Sequence, residues 1–180
     1  MALKAIAPGV LHKSDLGLVR LHLSRPAAVK TAAESMAQSL RTATGFLAQR
    51  MAPPGVEMLV GVIHDPVFGP TIACGAGGTL VEMLKDVSVR LSPLTRTDAS
   101  DMLRELRSSP LLNGYRGAPP CDIGSLEDLL LRVAALAEDH PQIAELDCNP
   151  VIVTASGAVV VDARVRVEAA TPPRPLGARR

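Results

Sequence analysis

Apolar and polar residues alternate in short blocks along this chain, and the period shifts repeatedly between two and about 3.6. Leu3-Lys4-Ala5-Ile6 reads as a short strand that Pro8-Gly9 breaks. A polar loop carrying His12, Lys13, Ser14 and Asp15 follows, and Leu18 to Leu23 then alternates apolar with basic side chains as a half-exposed strand does. Pro26 opens a helix expected to run to about Thr44, with Val29, Ala33, Met36, Ala37 and Leu40 at helical spacing. Phe46 to Arg50 and Val56 to Ile63 read as strands around a Pro53-Pro54-Gly55 turn, and a third run, Thr71 to Cys74, ends in Gly75-Ala76-Gly77-Gly78. Leu80 to Leu84 and Val87 to Leu91 are short apolar segments either side of Lys85-Asp86. Helices are expected over Asp98 to Arg107 and Ser125 to Glu138, the second from a capping-box start, Ser125-Leu126-Glu127-Asp128. Ile143 to Val153, a turn at Thr154 to Gly157, and Ala158 to Val167 form a closing hairpin. Beyond Glu168 the prolines suit neither helix nor sheet, which predicts a loose Pro/Arg tail over residues 169–180. Strands interleaved with helices predict an α/β or α+β domain.

Composition narrows the function classes. A chain of 180 residues fits one domain with a hydrophobic core of its own. The aromatic residues are Phe46, Phe68 and Tyr115, with no tryptophan, and the net charge is +1. That combination excludes nucleic acid as an expected partner, since single strands need stacking platforms and backbones need a basic excess. No apolar run reaches the length of a membrane span, and no signal-peptide pattern follows Met1. Cys74, Cys121 and Cys148 are odd in number and widely spaced, fitting neither a disulfide framework nor a zinc site, so the expected location is the reducing cytoplasm.

The closing hairpin carries the densest chemistry. Along Glu145-Leu146-Asp147-Cys148-Asn149-Pro150 the residues Glu145, Asp147 and Asn149 share one face of a strand. With Ala155 and Ser156 as the central turn residues, pairs counted outward from the turn place Asn149 opposite Asp162; a bulge at Gly157 would slip that register by about a residue. Two readings stand. The oxygens gather into a set suited to Mg²⁺, with positions left for water and phosphate, or Asn149-Pro150 is simply a turn or bulge beside solvated acids. Elsewhere, His12 is either a surface histidine or a nucleophile, whose imidazole suits transfer near neutral pH, with Lys13 and Asp15 beside it. Lys4 on its strand is either a phosphate contact or a lysine near the chain start, and Gly75 to Gly78 is by itself a weak phosphate-loop signal.

Several strings in one order resemble a known family. Glu-Leu-Asp-Cys-Asn-Pro at residues 145–150 with Asp162-Ala163-Arg164 resembles the magnesium hairpin of the ATP-grasp subunits of acyl-CoA synthetases, including the succinyl-CoA synthetase beta subunit. His12-Lys13-Ser14-Asp15-Leu16-Gly17 resembles the phosphohistidine segment of ADP-forming acetyl-CoA synthetases, with Leu18 where that family has a second glycine. Gln49 to Gly61, Phe68 through Gly78 to Asp86, Arg90 to Leu94, and Leu111-Leu112-Asn113-Gly114-Tyr115-Arg116-Gly117 also recur in it. The resemblance implies an ATP-grasp fold over residues 1–168, with an incomplete first lobe, a nearly complete second lobe, a mixed or antiparallel sheet and flanking helices. It implies an acid-thiol ligase component that moves phosphate between ATP or ADP and His12. By the same resemblance, Asn149 and Asp162 hold Mg²⁺, Asp147 assists the histidine, and Arg90 stabilises the transferring phosphoryl group. Lys4, Gln49, Met51, Glu57, Gly77 and Gly78 are the implied nucleotide contacts. The implied partner is a CoA-binding and ligase domain or subunit. The alternative is a nucleotide- or acyl-CoA-sensing module in a parent protein with a GNAT-type acetyltransferase domain, or an inactive fragment, since the family's first lobe extends upstream of Lys4.

Overall fold

The computed structural model describes residues 1–7, 16–40, 42–78 and 85–170. The expectations for Pro8-Gly9, for His12 to Asp15, for Leu80 to Leu84 and for the tail from residue 171 lie outside the described residues. The chain divides into two units, Met1–Ala52 and Pro53–Arg180.

In the first unit, β1 (Ala2–Ile6) lies between β2 (Val19–Arg20) and β3 (Gly45–Gln49), and both pairings are antiparallel. Alternation turns Leu3 and Ala5 to one face, where Ala32 and Met36 of α1 (Pro26–Ser39) bury them together with Leu18. Lys4 takes the other face, yet only 7% of it is exposed. Two expected boundaries move. The strand from Leu18 to Leu23 contracts to Val19–Arg20, since His22 turns left-handed at φ 58° and a strand does not continue through that conformation. Helix α1 stops at Ser39 rather than near Thr44. Leu40 is already extended, with its N–H capping the Met36 carbonyl, and Thr44 donates its N–H to Ile6 at 2.8 Å, which starts β3.

The second unit is an antiparallel sheet of β4 (Val56–Asp65), β5 (Gly69–Ala76), β6 (Val87–Leu91), β7 (Ile143–Thr154), β8 (Gly157–Val160) and β9 (Ala163–Val167). Its order is β6-β5-β4-β7-β8, with β9 also paired to β7. Helices α2 (Arg96–Glu105), α3 (Ser109–Leu112) and α4 (Ile123–Asp139) supply the other side of its core. Met58, Val60 and Val62 of β4 and Ile72 and Cys74 of β5 pack there against Met102, Leu103, Leu126 and Leu130. The cap of α2 is a reciprocal box, with Thr95 Oγ1 accepting from Asp98 N and Asp98 Oδ2 accepting from Thr95 N, so the helix starts at Arg96 and not Asp98. At α4 the expected box from Ser125 is corrected: Asp122 is the N-cap, accepting from Ser125 N at 3.1 Å, and the helix begins at Ile123. The expected strand from Ala158 to Val167 is broken at Val161 and Asp162 into β8 and β9.

Asp86 fastens the helices to the sheet. It is buried, and its carboxylate accepts from Arg107 N at 2.9 Å and Ser108 N at 2.7 Å, joining the start of β6 to the junction of α2 and α3. Burial opposes ionisation, but hydrogen bonds from Ser108 and Arg107 and the Arg107 charge outweigh it and hold the carboxyl below its ordinary value. A depressed carboxylate stabilises the fold above its unfolded pKa and loses that contribution as pH falls through the folded one. Asp86→Ala should therefore cost about 1–3 kcal/mol at neutral pH, since two inward N–H groups lose their acceptor. Urea unfolding measured at pH 7 and again below pH ~3 should show the deficit at the first pH shrinking at the second.

Candidate functional site

The hairpin register counted from the turn holds. Thr154 pairs Gly157 and Val151 pairs Val160, and the same count resumes from Cys148 with Ala163 to Glu145 with Arg166. Across the break, Val161 donates to the Pro150 carbonyl at 3.0 Å and Asn149 N donates to the Asp162 carbonyl at 3.1 Å, so Asn149 does face Asp162. There is no slip at Gly157. The bulge lies instead on the other edge of β7, where Met58 pairs Val151 while Val60 pairs Cys148. Leu59 thus faces Asn149 and Pro150 together. Asn149-Pro150 is a bulge, and bulges re-aim side chains.

The face of the sheet away from the helices carries the polar cluster. One cross-strand row on it runs Arg164, Asp147, Gly61, Ala73, Val89, and a neighbouring row runs Leu59, Gly75, Val87. Gly61, Ala73 and Gly75 make a floor of small residues beside Asp147. At the rim Gly77 N donates to the Glu57 carbonyl at 2.8 Å. A Cβ on Gly77 would come within 2.5 Å of the Met58 backbone. Gly78 is left-handed at φ +65°, and a Cβ there would stand 1.7 Å from Glu57 Oε2. Its N–H donates to Asn149 Oδ1 at 3.0 Å. Glu57, the glycine pair and Asn149 are thereby brought together from three separate stretches of chain.

Next to them the charges are arranged in a ladder. Glu145 is bound by Arg164 and by Arg166, each at 3.2 Å. Asp147 pairs across the strands with Arg164. Burial pushes the Asp147 carboxyl above its ordinary value; Arg164 opposes the rise, and Glu145 and Asp162 add to it. The arginine ladder was missed in the sequence, although Arg164 and Arg166 at period two opposite Glu145 are readable once the register is fixed.

Of the other expected site residues, Lys4 and Gln49 are on β1 and β3 of the first unit and Met51 follows β3. Arg90 is not in the cluster. It belongs to the row Leu146, Val62, Ile72, Arg90 on the helix-covered face, where its guanidinium is held by Glu105 of α2. The physical reason is the pleat: Val87, Val89 and Leu91 take the helix-free face, which leaves Ser88 and Arg90 for the other. His12 lies outside the described residues.

Asn149 Oδ1 receives one N–H and keeps a second lone pair, and Asp162 and Asp147 add hard carboxylate oxygens nearby. That donor chemistry fits Mg²⁺, which binds a few protein oxygens and completes its shell with water and phosphate. Among the described residues no group of three or more His, Cys, Asp or Glu side chains is placed to hold a metal ion by itself.

The family described as ATP-grasp domain matches this chain over residues 1–167. The chain belongs to the ATP-grasp domain family. Within it, the chain is 39% identical over 171 residues to the beta subunit of acetate–CoA ligase (ADP-forming) I of Pyrococcus furiosus, covering 92% of this chain and 74% of that one. It is 44% identical over 170 residues to the ADP-forming acetate–CoA ligase I of Archaeoglobus fulgidus, of which it spans 25%. Among solved structures, it superposes with a TM-score of 0.89 and 40% identity on a dinucleotide forming acetyl-coenzyme A synthetase 1 of Ca. Korarchaeum cryptofilum in complex with coenzyme A, Ca-AMPCP and HgCl⁺, covering 93% of this chain and 76% of that chain. Another structure of that enzyme, with coenzyme A and Mg-AMPPCP, has its phosphohistidine segment pointing towards the nucleotide binding site; there the TM-score is 0.83 at 39% identity, covering 93% of this chain and 76% of that chain. The ATP-grasp fold is thus that of the chain, with the sheet pairings among the described residues all antiparallel.

Two measurements probe the cluster. Gly78→Ala combines a left-handed backbone with a clash on Glu57, and should lower stability by about 1–3 kcal/mol in urea unfolding. Glu57→Ala in the same chain should recover part of that loss, because it clears the clash but leaves the backbone strain. For Asp147, a raised folded-state value means its contribution is fully present below the unfolded pKa and is lost as pH rises through the folded one. Asp147→Asn should raise Tm by about 1–3 °C at pH 7 and leave it unchanged near pH 3 in thermal melts.

Proposed function

We propose that this chain is the nucleotide-binding component of an ADP-forming acyl-CoA ligase, an acid-thiol ligase of the acetate–CoA type, acting in the cytoplasm. The observation that carries the reading is the meeting of Asn149, Asp162 and Asp147 with the Gly77-Gly78 turn on one face of the sheet, in a chain related to beta subunits of such ligases. Three free cysteines support the reducing compartment.

In this reading Asn149 and Asp162 hold Mg²⁺, which when bound neutralises charge on the phosphate oxygens. Gly78 fixes the Asn149 side chain by its N–H, and Glu57 closes the turn from the other side. Lys4 serves as a point charge for the polyphosphate, and the segment from Gln49 to Met51 receives the adenine. His12 takes the γ-phosphoryl group: a P–N bond forms on the imidazole while the bond from phosphorus to the β,γ-bridging oxygen breaks, and ADP leaves with that electron pair. The reverse transfer makes ATP. Asp147 assists His12 as the acidic partner of the phosphohistidine chemistry. Arg90, held by Glu105, serves the packing of α2 and not the transfer. The partner is a CoA-binding and ligase domain or subunit, which supplies acyl phosphate or consumes the phosphohistidine.

The test is phosphoryl transfer from γ-labelled ATP with Mg²⁺, with and without a separately supplied CoA-ligase half. The expected label is acid-labile and base-stable, disappears in His12→Ala, and falls about 100-fold in Asn149→Ala and Asp162→Ala. ATP binding without any label in either arm would replace this reading with a nucleotide-sensing module, as in a GNAT-type acetyltransferase fusion. Neither binding nor label would make the chain an inactive fragment.

A further inference from the structure

The string from Leu111 to Gly117 plays no part in the cluster above. It sits in the helical layer, on the opposite side of the sheet core from Asn149, since Leu112 packs into that core against α2 and α4. There, the end of α2, α3 and the 3₁₀ turn Tyr115–Gly117 border a concavity of about 600 Å³ that is wide open to solvent.

Its lining is one-sided in charge. Arg104, Arg107 and Arg116 face it, with Ser109, Asn113 and Tyr115, and among the described residues no acidic side chain lines it. Arg104 is paired with Asp101 at 3.0 Å. Asp86 is engaged by the backbone N–H groups of Arg107 and Ser108 and also feels the Arg107 charge, and Glu105 is paired with Arg90. Among the described residues neither the Arg107 nor the Arg116 side chain makes an ion pair.

The backbone holds this arrangement in place. Gly114 is left-handed at φ +89°, and a Cβ there would come within 2.7 Å of the Ala118 carbonyl. Arg116 is also left-handed, at φ 53° and ψ 39°, a conformation non-glycine residues rarely take. The result is a guanidinium 5.3 Å from the centroid of the Tyr115 ring, itself half exposed.

We propose that this cavity is a second anion site, for a phosphate-bearing small molecule. Guanidinium groups present paired N–H donors that match phosphate oxygens, and several in one concavity repel each other until an anion joins them. The exposed Tyr115 ring lies where a planar group attached to the phosphates would stack. The site goes beyond the transfer reaction proposed above and stands without it.

Tyr115 is the only tyrosine and the chain has no tryptophan, so tyrosine emission reports on this cavity alone. The full chain, without magnesium and at low ionic strength, is titrated with inorganic triphosphate and separately with ADP. Both titrations are repeated in Asn149→Ala/Asp162→Ala, which removes the proposed magnesium ligands. The expected result is a saturable emission change in both proteins, weakened about 10-fold or more by Arg107→Gln/Arg116→Gln. Arg107→Lys/Arg116→Lys, which keeps the charge but loses the paired donors, should fall between. ADP binding several-fold more tightly than triphosphate identifies a nucleotide stacked on Tyr115, and equal affinities identify the phosphates alone as the recognised group. The proposal is overturned if folded wild-type protein gives no saturable change with either anion. It is equally overturned if sodium chloride at matched ionic strength gives the same change, or if the change survives both arginine double variants and vanishes in the Asn149/Asp162 variant. His12 labelling is a separate readout, so loss of one proposal leaves the other standing.

Discussion

The second unit depends on one extra residue. Asn149 and Pro150 of β7 together oppose Leu59 of β4, and this insertion reverses the phase of the strand. Next to it on one side Leu146 and Cys148 enter the helix-side core, and on the other side Val151 and Val153 do, while Ile152 is buried outside that core cluster. An uninterrupted strand would bury one pair and expose the other, because side chains alternate strictly. The bulge lets both halves reach the helices, and proline fits there because it has no N–H to give a ladder. The same insertion coincides with the break between β8 and β9, so the most irregular point of the sheet is where Asn149 and Asp162 meet.

This explains what could be read in advance. The hairpin register followed from Ala155-Ser156 and the flanking strands, since a two-residue turn fixes every pair up to the next irregularity. The phase change leaves only a partial trace in the sequence: Leu146 and Cys148 at even positions give way to Val151 and Val153 at odd ones, but Ile143 and Ile152 run against that pattern. Helix starts were less legible because Thr, Ser and Asp cluster near each of them. Which one caps depends on where the preceding strand delivers the chain: Thr95 and Asp122 won over Asp98 and Ser125.

Arg90 shows the limit of strand reasoning. On β6 the alternation puts three apolar side chains on the face without helices, where Val87, Val89 and Leu91 are about half exposed. Polarity alone would have assigned the faces the other way round. The helix-covered side accepts Ser88 and Arg90 because Glu105 at the end of α2 supplies a hydrogen-bonding partner for both. A tertiary partner on another element decided the orientation, and no local pattern on β6 announces it. Similarly, Glu57 meets Gly78 only because β4 and the end of β5 are neighbours, a pairing that strand alternation leaves open.

The hairpin that presents Asn149 and Asp162 is a ruler. Its spacing, from the bulge through the turn to the break, decides which face Asp162 occupies. Many side chains between Val151 and Val160 can be exchanged for others of similar bulk without moving it. Adding or deleting one residue there would turn Asp162 towards the helices while Asn149 stayed in place. Descendants of this sequence should therefore vary freely in the letters of the hairpin and hardly at all in its length.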